Sequence, residues 1–380
     1  MTIQCDYYAK KQCLSCQWLA KPYTKQIEVK QHNLSDKLKS FHPELILSPV
    51  VSELFHFRNK AKMVVTGTVE KPILGIINHE QQGIDLCHCP LYERGIAETL
   101  ELLKGFIKKN SLVPYNINKK KGELKFIILT VHQTKIMLRF VLRSENMVEQ
   151  IRVVLPELQQ LIPNLVVVSA NIQPKHAAIL EGEQEIILTE NGVLPVMLNQ
   201  IPLFIRPQSF FQTNTNVAEK LYQTANEWID ELNCSSQQVQ SIWDLFCGVG
   251  GFGLHCTKPN MRLTGIEINQ EAIACAKKSA EQLGLSHTDF RSLDSTAFAL
   301  AQQDIPDLVL VNPPRRGIGK VLAEYLQQVA PKYILYSSCN PDSLGQDLLS
   351  LTNYQLNKVQ LFDMFPHTEH MEVMVLLIKK

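Results

Sequence analysis

The chain is 380 residues long, more than one hydrophobic core usually organises, so two domains are expected. A hydrophobic share of 45% with 20% charged residues is an ordinary globular composition, and no apolar run reaches bilayer length, so a soluble protein is expected. The net charge of +1 announces no polyanionic partner by itself, although residues 1–212 carry 25 Lys and Arg against 19 Asp and Glu, and residues 213–380 carry 13 against 18. That tilt points either to nucleic acid on the first half or to ordinary solvated surface.

The opening residues, MTIQCDYYAKKQ, contain no apolar stretch of the kind a secretory leader needs, and a reducing, cytoplasmic setting is expected. The ten cysteines then read as thiols or ligands. Cys5, Cys13 and Cys16 crowd the first segment, residues 1–48, and CHCP adds Cys87 and Cys89. Four thiolates gathered in such a compartment indicate zinc or an iron–sulfur cluster. The spacing matches neither a standard zinc ribbon nor a ferredoxin run, so it leaves the metal open.

Residues 49–212 alternate short β-type runs (KMVVTGTV, KFIILTV, IMLRFVL, LVVVSANI, EIILTE) with two helical patterns, ETLELLKGFIKK and MVEQIRVVLPELQQLI. An α+β domain is predicted there. Residues 213–380 change rhythm: a helix over NVAEKLYQTANEWIDEL is followed by SIWDLF, LTGIEI, DLVLVN and YILYSS, with helical segments between them. Strand–helix alternation predicts an α/β fold with a doubly wound, Rossmann-like parallel sheet.

WDLFCGVGGFG, residues 243–253, follows a predicted strand and opens a helix, the setting in which glycines let a ligand approach the backbone closely. Glu267 ends the next strand, where a carboxylate accepts ribose hydroxyls. Gly248, Gly250 and Gly253 also spell a dinucleotide fingerprint, so a nicotinamide enzyme competes. Asp244 just before the loop, and Asn312 ending the fourth strand in VNPPRRG, favour S-adenosyl-L-methionine.

In YSSCNPD, Asn340 fits an N-cap and Pro341 the first helical position, which puts Cys339 at a helix mouth and predicts a lowered thiol pKa. Transfer to an amine or hydroxyl needs no nucleophile. Transfer to C5 of a pyrimidine does, because that carbon becomes electron-rich only after a thiolate adds at C6. A base must then remove the C5 proton. DMFPHTEHMEV offers Glu369, Glu372 and two histidines, and spacing alone does not choose between the two glutamates.

These pieces together resemble the iron–sulfur RNA (uracil-C5)-methyltransferases. The likeness covers nearly the whole chain: the N-terminal cysteines, FRNKAKMVV at 57–65, RPQSFFQTN at 206–214, DLFCGVGGFGLHC, NPPRRGIG, YSSCNP and FPHTEHMEV, in that order. The resemblance implies C5 methylation of a uracil of 23S ribosomal RNA, uracil 747, with S-adenosyl-L-methionine as donor and a covalent Cys–C6 adduct. It implies that Cys5, Cys13, Cys16 and Cys89 hold a 4Fe–4S cluster, with Cys87 spare. It assigns Gln212, Phe246, Glu267 and Asn312 to the methyl donor, Cys339 as nucleophile and Glu372 as base. Larger relatives begin with an extra β-barrel RNA-binding domain and others carry Asp in place of Asn312. With cluster cysteines from residue 5 onward, the RNA grip is expected to fall to the central domain.

A duplex hides C5 and C6, so the target is expected in an unpaired loop or extruded from a helix. Arg58, Lys60, Lys62, residues 118–125, Arg315 and Arg316 are candidates for phosphates, and Phe210 and Phe211 for base stacking; singly, each also reads as solvated charge or core aromatic. No obligate protein partner is evident. The rival readings are a nicotinamide oxidoreductase, a non-catalytic RNA-binding protein, and C5 methylation of a different rRNA or tRNA uracil. An amine methyltransferase is a weaker rival, since Arg315 stands where such enzymes usually carry an aromatic residue.

Overall fold

The computed structural model describes residues 4–177, 179–234 and 238–380. By internal contacts the chain forms two units, one built from Trp18–Ser52 with Pro195–Lys380, the other from residues 4–17 with Glu53–Leu194. The division falls elsewhere than the 48/49 and 212/213 boundaries read from composition. Residues 18–52 join the C-terminal sheet because Leu34 and Leu38 of the helix Tyr23–Leu38 are fully buried in its core. The partners lie about three hundred residues on in the chain, and no local pattern announces them.

In this first unit an eight-stranded sheet runs in the order Leu45–Ile46, Tyr354–Phe362, Glu372–Lys379, Tyr333–Ser338, Leu308–Val311, Ser241–Leu245, Arg262–Glu267, Thr288–Ser292. All neighbours pair in parallel except Glu372–Lys379, which is antiparallel to both of its own. Leu308–Val311 and Tyr333–Ser338 are buried at every position, as strands covered on both faces must be. The chain leaves Ser241–Leu245 first to one side, then crosses to the other, so the order reverses beside it. In a doubly wound sheet the crevice for a ligand opens at the carboxyl ends of such strands.

The second unit holds a seven-stranded sheet, ordered Gly83–Asp85, Pro72–Ile77, Lys60–Gly67, Leu124–His132, Lys135–Leu142, Leu165–Ile172, Gln184–Ile187. Only Lys135–Leu142 and Leu165–Ile172 pair in parallel, and the helix Val148–Leu161 makes the crossover between them. This helix and Ile96–Lys109 bury Ile151, Leu158, Leu100, Leu103 and Phe106 in one core with Met63, Ile127, Leu138 and Phe140 of the strands. Among the described residues no helix is long and apolar enough to cross a membrane.

Candidate active site

The strand Ser241–Leu245 turns into the helix Gly251–Cys256 through a loop in which Gly248 and Gly250 take φ of +54° and +85°, values that cost glycine nothing. Phe246 is held at φ +67° without that licence, a strain on the order of 1 kcal/mol maintained by its surroundings, and its amide donates to Ser295 Oγ at 3.2 Å. The Gly253 amide donates to Asp244 Oδ2 at 2.8 Å. The other oxygen, Asp244 Oδ1, is buried without a hydrogen-bond partner. Burial pushes the Asp244 carboxyl up to about 7 despite the Gly253 amide, and the charge of Glu267 adds to the shift. Glu267 accepts from the amides of Gly248 at 3.3 Å and Asn269 at 3.0 Å, which fixes its carboxylate beside the glycine loop. An orphaned buried oxygen and an anchored carboxylate, on either side of an open loop, fit a nucleoside-bearing donor.

The loop borders a cavity of about 550 Å³, in the range of small-molecule sites. Gln212, Phe246, Glu267, Asn312, Cys339 and Glu372, the six residues assigned by resemblance to donor or chemistry, all line it. Asp244, Arg315 and Phe365 line it too. Phe210 and Phe211 both line it but differ in exposure: the first is 73% exposed, the second is buried.

Cys339 follows the strand Tyr333–Ser338, and Asn340 caps the helix Pro341–Leu348 as predicted, its side chain accepting from the Asp342 amide. The thiol pKa, however, is raised and not lowered. Burial is the largest cause and the charge of Glu372 the next; Arg315, which bonds to the thiol, and a backbone amide offset only part of it. A first-turn helix effect is too small to overcome both.

Strand register explains why Glu372 and not Glu369 shares this cavity. Ser338 pairs with Val373 across the antiparallel ladder, so one step further Cys339 lies opposite Glu372. Glu369 sits in the preceding loop, exposed. Glu372 is 2% exposed, accepts a hydrogen bond from Ser337 Oγ, and is pushed up to about 7 by burial against that bond. Two supporting residues had no signal in the sequence. Ser337 is one. Asp347 is the other: it accepts from Tyr336 Oη at 2.6 Å, Ile318 N at 2.9 Å and Gly319 N at 3.2 Å, and so holds the NPPRRGIG loop against strand and helix.

In the second unit the four N-terminal and CHCP cysteines assigned to a cluster lie near one another. Cys16 is pushed up to about 12, first by burial and then by Cys89, Cys13 and Cys5, and Cys89 up to about 11 by burial with Cys13 and Cys5 contributing. A cationic metal among these sulfurs would offset the burial and the neighbouring charge that hold Cys16 and Cys89 protonated. Cys87 is different. It is fully buried, its thiol points to the Leu74 carbonyl, and it groups with Asp85 and Glu101, both of which are ion-paired with Lys104.

Residues 22–380 match the tRNA (Uracil-5-)-methyltransferase family. The 23S rRNA (uracil(747)-C(5))-methyltransferase RlmC of Yersinia enterocolitica is 55% identical over 379 residues, 99% of this chain and 100% of the relative. The protein of the same name from Serratia proteamaculans is similar to the same degree and extent. The crystal structure of the Pyrococcus abyssi tRNA (uracil-54, C5)-methyltransferase in complex with S-adenosyl-L-homocysteine is similar with a TM-score of 0.78 at 25% identity, over 96% of this chain and 86% of that one. Fold, glycine-loop crevice and near-complete sequence matches converge on one conclusion: the chain belongs to the tRNA (uracil-5-)-methyltransferase family.

Proposed function

We propose that this protein transfers a methyl group from S-adenosyl-L-methionine to C5 of a uracil in 23S ribosomal RNA, the base numbered 747 in the names of its relatives, through a transient bond to Cys339. The observation that carries the chemistry is the pairing of a thiol and a buried carboxyl, Cys339 and Glu372, on one cavity with the glycine loop.

Cys339 adds as thiolate to C6, and the C5–C6 electron pair moves onto C5 and the O4 enolate. C5 then takes the sulfonium methyl, leaving S-adenosyl-L-homocysteine. Glu372 accepts the C5 proton, the C5–C6 double bond re-forms, and Cys339 departs as thiolate. Arg315, bonded to the thiol, favours the anion that addition and departure both require. Exposed Phe210 is suited to stacking on a base drawn out of an RNA loop, and Asp244, Glu267, Phe246, Gln212 and Asn312 would hold the donor.

The convergence of Cys5, Cys13, Cys16 and Cys89 supports a 4Fe–4S cluster in the second unit. The cysteine spacing does not choose between zinc and a cluster; the resemblance to iron–sulfur RNA methyltransferases favours the cluster. When bound, the cluster would tie residues 5–16 to residue 89.

The test is an RNA loop carrying 5-fluorouridine, incubated with methyl donor. Fluorine cannot leave as a cation, so the wild type should stall as a covalent protein–RNA complex stable to denaturant, and Cys339→Ala should form none. A wild type that methylates ordinary RNA yet never traps the fluorinated loop overturns the covalent scheme.

A further inference from the structure

The residues from Asp363 to Met371 bring Phe365 to the cavity and end on Glu372, yet they form only turns and bends. Ladder pairing with Phe362 and the Ser337 bond hold Glu372 from the strand side, but the loop that leads into it has no ladder of its own and needs another hold. Within the same unit, one face of the helix Tyr23–Leu38 provides it. Tyr23, Gln26 and Lys30 stand at i, i+3 and i+7, hence on one side. Tyr23 Oη donates to Asp363 Oδ2 at 2.8 Å. Gln26 Oε1 accepts from the His367 amide at 2.8 Å, while its Nε2 donates to the carbonyls of Trp18 and Lys21 at 3.0 and 2.9 Å.

Lys30 makes the densest of these connections. Its side chain and that of Asp363 are both 0% exposed. The ammonium donates to Asp363 Oδ1 at 2.6 Å, to the Phe365 carbonyl at 3.1 Å and to the His370 carbonyl at 2.6 Å. Three donors meet three acceptors, which span the loop from its first residue to two residues before Glu372. A buried ion pair is a poor device for stability, since apolar side chains of similar volume often do as well. Three bonds to one irregular loop are a good device for position.

We propose that Lys30 is a positioning residue for Glu372, its ammonium locking the 363–371 loop so that the carboxylate meets the C5 proton of the methylated adduct. This rests on the reading of Glu372 as the base. Loss of the lock slows the last step, in which the proton leaves C5 for Glu372, the C5–C6 double bond re-forms and the C6–sulfur bond breaks. Addition of Cys339 and methyl transfer precede that step. The methylated covalent complex therefore accumulates on ordinary uridine RNA.

The experiment follows methyl-labelled protein–RNA complex on denaturing gels, alongside turnover, for the wild type, Glu372→Gln, Lys30→Met and the double variant Lys30→Met with Asp363→Leu. The double variant removes the charge pair without stranding either charge in the core. The expected result is little complex in the wild type and strong accumulation in Glu372→Gln. Both Lys30 variants should accumulate it as well, with turnover down about 100-fold, the size of effect a misplacement of about 1 Å produces. If Glu372→Gln traps the complex and the folded double variant does not, the positioning role is overturned while the base survives. If Glu372→Gln itself traps nothing, the reading of Glu372 falls, and the Lys30 proposal with it.

Discussion

A carboxyl that takes a proton from carbon is useful only when ionised, and Glu372 lies where ionisation is held back. Burial moves it from the usual 4.5 to about 7, and the hydrogen bond from Ser337 is the one group that pulls it down. The rate of adduct breakdown should therefore rise with pH through about 7 and then level off. Ser337→Ala removes the stabilising donor and should move that inflection upward by about one unit, as a hydrogen bond to a charged group is worth roughly 1.5 kcal/mol. Single-turnover release rates across pH check both points, and an inflection that stays put in Ser337→Ala contradicts the assignment. The same shift has a stability sign. The folded carboxyl binds its proton more tightly than the unfolded one, so the contribution is complete below about 4.5 and is lost as pH rises through about 7.

At the scale of elements, the close contact of the helix Gly251–Cys256 with the strand Ser241–Leu245 decides whether the donor crevice forms. A Cβ at Gly253 would come 2.7 Å from Asp244 Oδ2 and 2.9 Å from Leu263 Cδ1. Gly253→Ala should therefore cost about 1–3 kcal/mol in stability through overpacking. It should also weaken binding of S-adenosyl-L-homocysteine, because Asp244 must move; calorimetry together with thermal melts measures the two effects. A variant that melts and binds as the wild type does would contradict this packing. The strands around that crevice were legible because short apolar-rich runs alternate with helical segments, and Asn340-Pro341 marked its helix start through capping chemistry alone. The helix Tyr23–Leu38 was not legible. Its inward face carries Gln26 and Lys30, residue types that ordinarily face solvent, and what makes them core residues is a loop more than three hundred positions away. Glu372 needed the ladder register to separate it from Glu369. Capping chemistry put Cys339 at a helix mouth, where the structure has it, yet the direction of its pKa shift depended on burial and a facing carboxylate, which no local spacing contains.

For the whole molecule, residues 5–16 are a segment with little packing of its own. Their one short helix, Asp6–Ala9, buries none of its residues, and Tyr7 and Cys13 are only partly buried where they pack on the second unit's core. A segment with so little apolar contact opens easily unless it is cross-linked, and a tie from Cys5, Cys13 and Cys16 to Cys89 closes a loop of roughly 70 residues, worth about 4 kcal/mol by chain-entropy arguments. Protein purified without oxygen should then carry about four irons per chain. Cys89→Ser should lose most of that iron and let trypsin cut at exposed Lys10 and Lys11 far sooner. Cys87→Ser should keep the iron, because its side chain faces the Leu74 carbonyl and not the other sulfurs, and should only lower the melting temperature by placing a hydroxyl in an apolar core. Equal iron loss from both variants, or zinc in place of iron in the anaerobic wild type, would overturn the ligand set. Equal trypsin sensitivity with and without iron would leave the ligands standing but remove the argument that the cluster's work is to hold the chain's first residues down.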